Sequence, residues 1–114
     1  IKLARKWGYV KKGIKPNKAI VLSASNNFHG RTIGIISMST DKTATTNFGP
    51  FLPNVGPIVP GSGKTIRYNN IQDLEEAFKL HGDEIAGFLI EPIQGEAGII
   101  VPDDDYIRAA HALC

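Results

Sequence analysis

Three short apolar runs, each ended by turn formers or a charged residue and each followed by a helix-like stretch, constrain this chain more than any other feature. Residues 19–24 (Ala-Ile-Val-Leu-Ser-Ala) are rich in β-branched side chains and stop at Ser25-Asn26-Asn27. Residues 65–68 (Thr-Ile-Arg-Tyr) form a second, shorter run, and residues 85–90 (Ile-Ala-Gly-Phe-Leu-Ile) a third that ends in Glu91-Pro92. The first run, apolar and bounded by turn formers, fits a buried strand of a parallel sheet. The intervening segments carry helical signals. Leu3, Ala4 and Trp7 share one face at the start, and residues 30–40 carry Ile33, Ile35, Ile36 and Met38. Asn70, with Asp73 three positions on, reads as an N-cap, and Ile71, Leu74, Ala77 and Phe78 line one face of the helix it opens. Pro102-Asp103-Asp104-Asp105 opens the last helix with acids at its positive end. The order α, β, α, β, α, β, α predicts an α/β fold: a mostly parallel sheet with flanking helices, right-handed crossovers, and ligands outside the carboxyl ends of the strands.

Two connections stand apart. Residues 8–18 hold Gly13, Pro16, Lys11, Lys12, Lys15 and Lys18 and read as an exposed link. Residues 41–63 hold Pro50, Pro53, Pro57 and Pro60 with Gly49, Gly56, Gly61 and Gly63, and so read as a long irregular excursion. Excursions of that length are usually functional or shared with a partner.

Composition excludes several classes. The net charge is +2 in 114 residues and the charges are scattered, so no basic face for nucleic acid or a membrane surface is offered. The single cysteine, Cys114, cannot close an internal disulfide and has no metal-ligating neighbours, which fits a reducing compartment. No apolar stretch approaches the roughly 20 residues a membrane span needs. The chain opens on Ile1 inside a helical pattern and closes without a C-cap glycine, so residues 1–114 are expected to be an internal segment with no complete domain boundary inside. Gly61-Ser62-Gly63-Lys64-Thr65 imitates the end of a phosphate loop, but Ile58 stands where the first glycine belongs and a strand is expected next, not a helix. Asp103-Asp104-Asp105 reads as helix capping rather than a metal cluster, and His81 and His111 as surface residues.

Chemistry concentrates in two loops. Asn26-Asn27-Phe28-His29-Gly30-Arg31-Thr32 places an aromatic, an imidazole and a guanidinium in one strand-to-helix turn. Aromatics stack on planar rings, and arginine offers a rigid fork to carboxylates. Glu91-Pro92-Ile93-Gln94-Gly95-Glu96-Ala97-Gly98 puts two carboxylates and an amide on a glycine-rich loop at a strand's end. Taken alone, the first also reads as a turn with one buried Phe and a surface Arg, and the second as a site without a specified chemistry.

Together with Ser39-Thr40-Asp41 and Phe48-Gly49-Pro50-Phe51-Leu52-Pro53, these loops resemble the ornithine branch of the class III aminotransferases, which use pyridoxal phosphate. The opening Lys2-Leu3-Ala4-Arg5-Lys6-Trp7-Gly8-Tyr9 is similar to the helix after that family's phosphate-binding loop. The resemblance covers essentially the whole chain and implies part of the large domain of a fold type I transferase. It implies that Phe28 stacks on the cofactor's pyridine ring, that His29 and Glu91 line or support the cofactor pocket, and that Arg31 receives the α-carboxylate of glutamate or 2-oxoglutarate. Glu96 would pair with a second arginine and help the site alternate between ornithine and glutamate. The implied reaction moves the δ-amino group of ornithine to 2-oxoglutarate, giving glutamate and a semialdehyde that cyclises to pyrroline-5-carboxylate. Acetylornithine and 4-aminobutyrate aminotransferases are the nearest alternatives, and a non-catalytic α/β interaction module is the alternative of another class. The family's Schiff-base lysine, its pyridine-binding aspartate and its phosphate loop all fall outside residues 1–114. No catalytic residue is therefore assigned within the chain, no metal is implied, and the segment alone is expected to be inactive. The family also implies a homodimer approached by residues 41–63, amino acid and 2-oxo acid substrates, and a cytoplasmic location on the strength of His29, with the mitochondrial matrix as the alternative.

Overall fold

The computed structural model describes residues 1–114. At its centre β1 (Ile20–Ser23) pairs in parallel with β2 (Val55–Gly56) on one side and β3 (Ile85–Leu89) on the other, giving the strand order β2-β1-β3. The register sets Val21 against Val55, and Leu22 against both Gly56 and Phe88. All four residues of β1 are buried, as a strand covered on both faces requires.

Alternation along β1 divides the core into two layers. Ile20 and Leu22 point into a cluster with Leu74, Ala77, Ile85 and Ala110, supplied largely by α4 (Ile71–His81) and α5 (Tyr106–Leu113). Val21 and Ala19 point the other way, into a cluster with Ile14, Met38 and Ala86, closed by Ala4 of α1 (Lys2–Trp7). Helix α4 starts where expected. The Asn70 side chain accepts the Asp73 N–H at 3.0 Å, and Leu74 and Ala77 form its buried face.

The structure corrects the sequence reading in five places. The middle strand is Val55–Gly56, inside the supposed irregular excursion, and not residues 65–68. Those residues stitch the edge of the domain instead: buried Ile66 donates its N–H to Pro57 O at 2.7 Å, and its carbonyl accepts the Ser25 N–H at 2.8 Å. The excursion also holds a short helix, α3 (Lys42–Thr45), capped by Asp41 Oδ1 on the Thr43 N–H at 2.8 Å. The helix foreseen over residues 30–40 shrinks to α2 (Ile33–Ile36). The acids of residues 103–105 precede α5 rather than occupying its first turn, and Asp105 pairs with Arg108 at 2.7 Å instead of capping.

The fifth correction concerns the lysine-rich link. Helix α1 runs on through a π-helical turn, Gly8–Lys12, and stops at Gly13, whose φ of 79° needs glycine. Glycine at position 8 is explained by packing, because a Cβ there would lie 2.9 Å from both Ala86 Cβ and Ile14 Cδ1. Lys12 then reaches back, its Nζ donating to Gly82 O at 2.6 Å and Ile85 O at 2.8 Å. No helix is long and apolar enough to cross a membrane.

Helix propensity alone makes alanine better than glycine by about 1 kcal/mol. At Gly8 the overpacking against Ala86 wins, so Gly8→Ala is expected to destabilise the intact protein by about 1–3 kcal/mol, read as a lower urea midpoint.

Candidate functional site

The carboxyl ends of β1 and β3 face the same edge of the sheet, so the loops that leave them lie side by side. The first loop is folded by two asparagines. Asn27 is 9% exposed, and its Nδ2 donates to Ala24 O at 2.8 Å and Met38 O at 2.6 Å, pairing carbonyls that would otherwise be buried alone. Asn26 takes a left-handed φ of 57° and donates its N–H to Thr40 Oγ1 at 2.9 Å. This reversal leaves the ring of Phe28 44% exposed, on the wall of a cavity of about 710 Å³.

Phe28, His29 and Arg31 line that cavity from the first loop, and Glu96 lines it from the loop after β3. Four of the five residues singled out from the sequence thus meet in one space. Ser39, Thr40, Asp41 and Phe48 contribute further lining. Glu91 does not line the cavity. It sits behind the wall, where its Oε2 accepts the Phe28 N–H at 3.3 Å and so ties the two loops together. Arg31 is the one Lys or Arg side chain in the lining, and none of the nine lysines reaches it.

The electrostatics stem from burial. Desolvation lowers the pKa of His29 below its ordinary value of 6.5, and the nearby Glu91 carboxylate opposes that shift without reversing it. His29 is therefore neutral at pH 7, and its buried Nε2 has no hydrogen-bond partner. The Tyr68 hydroxyl, raised by burial and then by Glu91, donates to the carbonyls of Glu91 and Pro92, each at 3.0 Å. Tyr68 meets Tyr106 edge to face, with ring centroids 5.5 Å apart. Gln94 is 1% exposed and donates from Nε2 to Ser25 O at 2.8 Å.

Asn27, Tyr68 and Gln94 carry no assigned role on sequence grounds. Asn27 looks like one turn former among several, Tyr68 like the end of a strand, and Gln94 like one letter of a motif. The signal for Gln94 is an uncharged amide between apolar Ile93 and Gly95, a residue type that is rarely buried unless paired. In the loop that imitates a phosphate loop, Lys64 pairs with Glu76 at 2.6 Å. No group of three His, Cys, Asp or Glu side chains is arranged to hold a metal ion.

An aromatic, a guanidinium and a carboxylate thus line one cavity at the carboxyl edge of an α/β sheet, the place where such folds bind small molecules. The family model for class-III aminotransferases matches residues 1–114, and the chain belongs to that family. It is 59% identical, over all 114 residues, to the ornithine aminotransferase of Emericella nidulans, and covers 25% of that protein. It is 52% identical to the mitochondrial ornithine aminotransferase of Oryza sativa, again over its full length and 22% of the relative. The crystal structure of the ornithine aminotransferase from Toxoplasma gondii superposes with a TM-score of 0.86 at 43% identity, covering 99% of this chain and 24% of that one. The chain therefore spans about a quarter of the length of the relatives it matches.

Class-III aminotransferases use pyridoxal phosphate, and a second structure of the Toxoplasma gondii enzyme carries PLP at partial occupancy in its active site. The residues here fit one side of such a group. Phe28 is an open aromatic on a cavity wall, and a neutral imidazole sits beside it, while a lysine for covalent attachment is not in the lining.

Removing the Glu91 charge takes away the contribution that raises His29, so Glu91→Gln is expected to move the His29 midpoint further down, read by imidazole NMR titration of the intact protein. The same shift gives the sign for stability. A native midpoint below 6.5 means the unfolded imidazole takes its proton first, so stability is lost as pH falls from 6.5 to the native midpoint, the cost is complete below that midpoint, and there is none well above 6.5.

Proposed function

We propose that the intact protein transfers the δ-amino group of ornithine to 2-oxoglutarate, and that residues 1–114 are part of its cofactor-binding large domain. The observation that carries this reading is that Arg31 and Glu96, of opposite charge, line one cavity with Phe28, in a chain 59% identical to an ornithine aminotransferase. Pyridoxal phosphate, when bound, supplies the electron sink that makes loss of a substrate proton feasible.

This chain's residues do the rest of the work. Phe28 would hold the cofactor by its flat face and shield it from water, and Glu91, by accepting the Phe28 N–H, steadies the Phe28 backbone. Arg31 would present two parallel N–H groups to the α-carboxylate of the oxo acid and so orient its reacting end. Glu96 would pair with a second arginine outside residues 1–114, and so help one site accept in turn the amine of ornithine and the second carboxylate of glutamate or 2-oxoglutarate. His29, neutral at pH 7, lines the pocket without adding charge to it.

Residues 41–63 would meet a second subunit in a homodimer, where exposed Phe48, Phe51 and Leu52 offer apolar surface. The proposed location is the cytosol, on His29, with the mitochondrial matrix as the alternative, since the rice relative is a mitochondrial enzyme.

The test is a comparison of amino donors with the full-length protein. Glutamate should form faster from ornithine than from acetylornithine or 4-aminobutyrate, and only the ornithine reaction should also give the cyclic imine. Preference for either of the others replaces the ornithine assignment, and no turnover of any of the three removes the enzymatic reading. Within an active enzyme, Arg31→Ala is expected to lower kcat/KM for 2-oxoglutarate by about 10²-fold, as loss of a bidentate charge-assisted pair implies. Its cofactor absorbance should be unchanged.

A further inference from the structure

Gln94 is among the most buried side chains of the molecule, at 1% exposure, yet it lies in a loop whose neighbours Pro92, Ile93, Gly95 and Glu96 are all exposed. Its backbone closes that loop. Gln94 N–H donates to Ile100 O at 3.0 Å and Ile100 N–H to Gln94 O at 2.8 Å, while the Gly98 and Ile99 N–H groups both bond Gly95 O at 3.1 Å. The five residues enclosed include Glu96 and Ala97 of the cavity wall. Inside the loop Ile99 is held at φ 59°, a left-handed conformation that a β-branched residue adopts only under constraint.

The side chain reaches in a different direction. Its Nε2 donates to the carbonyl of Ser25, sixty-nine positions earlier in the chain, at 2.8 Å. Ser25 opens the turn that carries Phe28, His29 and Arg31, and its own N–H is held by Ile66 O. One buried amide thus spans the loop that supplies Arg31 and the loop that supplies Glu96 to the cavity wall. The other end of the loop is braced separately, by Tyr68 on the carbonyls of Glu91 and Pro92. The Gln94 Oε1 atom is buried without a donor, so the side chain is retained there at a cost that its single bond to Ser25 has to offset.

We propose that Gln94 is a positioning residue: its amide pins the loop bearing Glu96 to the turn bearing Phe28 and Arg31, and so sets the distance between the two charges that select the substrate. Its side chain does not line the cavity. The proposal rests on the aminotransferase reading for its kinetic consequence, but the clamp itself does not.

The experiment has two arms on the full-length protein, wild type and Gln94→Met, which keeps the length of the side chain and removes its donor. Amide hydrogen exchange reads the clamp without any substrate. Exchange at Gly98, Ile99 and Ile100 should quicken at least about 10-fold in the variant, with the amides of α4 unchanged, because the loop opens locally rather than with the whole fold. Steady-state kinetics reads the consequence. KM for 2-oxoglutarate should rise by about 10-fold or more with kcat held within a few-fold and cofactor absorbance retained, since a slight misplacement of binding groups costs that much. A merely structural role would instead lower the melting temperature and active fraction while leaving KM alone. That result, or unchanged loop exchange, overturns the proposal. If Gln94→Met does not fold, the wild type decides. Its Ile100 amide should exchange at least about 10²-fold more slowly than an open amide, and free exchange there refutes the clamp. If wild type turns over none of the donors, the functional proposal falls and the exchange arm still judges Gln94.

Discussion

Parallel pairing on both sides of β1 is the constraint on which the rest of the structure depends. A strand that gives its backbone to two neighbours and its side chains to two apolar layers has no exposed face, and the chain can leave it only at the sheet's carboxyl edge. The crossovers send β3 out at that same edge, so the two loops richest in polar groups become neighbours through topology alone. Helices on both faces make this possible. Leu74 and Ala77 of α4 seal one layer, and Ala4 of α1, approaching through Gly8, seals the other.

Burial at the strand ends leaves main-chain carbonyls that water cannot reach, and side-chain amides answer them. Asn27 pairs those of Ala24 and Met38, and Gln94 pairs that of Ser25. Charged groups take the outer positions. Arg31 and Glu96 remain exposed in the cavity, and Glu91, half-buried behind the wall, is bound to the Phe28 N–H. The division is physically sensible: a neutral amide can be buried with one bond at modest cost, whereas an unpaired buried charge cannot.

Much of this is legible in the sequence, because burial on both faces writes itself as the apolar run at residues 19–24, the edge strand β3 carries a similar run at 85–90 although Leu89 is exposed, and capping writes itself as Asn70 with Asp73. The α/β class rests on those signals, and Phe28, His29, Arg31 and Glu96 of the cavity wall on the resemblance carried by the two motifs. The middle strand is not legible. Val55–Gly56 is two residues long and ends in glycine, so it carries no periodicity; it pairs because β1 offers an edge beside it. Thr65-Ile66-Arg67-Tyr68 has strand-like composition, but its bonds go to Pro57 and Ser25 rather than into a ladder. The π-helical turn at Gly8–Lys12 is hidden by its glycine and lysines, since tertiary contacts to Ala86 and Gly82 decide its conformation.

The double bracing of the loop after β3, by Tyr68 at its root and a buried amide in its middle, bears on how tightly a small ligand can be held. A wall that must be ordered at the moment of binding sets each immobilised side chain against affinity, at about 0.5–1.5 kcal/mol apiece. Here that ordering is completed during folding and the wall enters the encounter already shaped. The free energy of the ligand's own contacts is then left for telling one substrate from another.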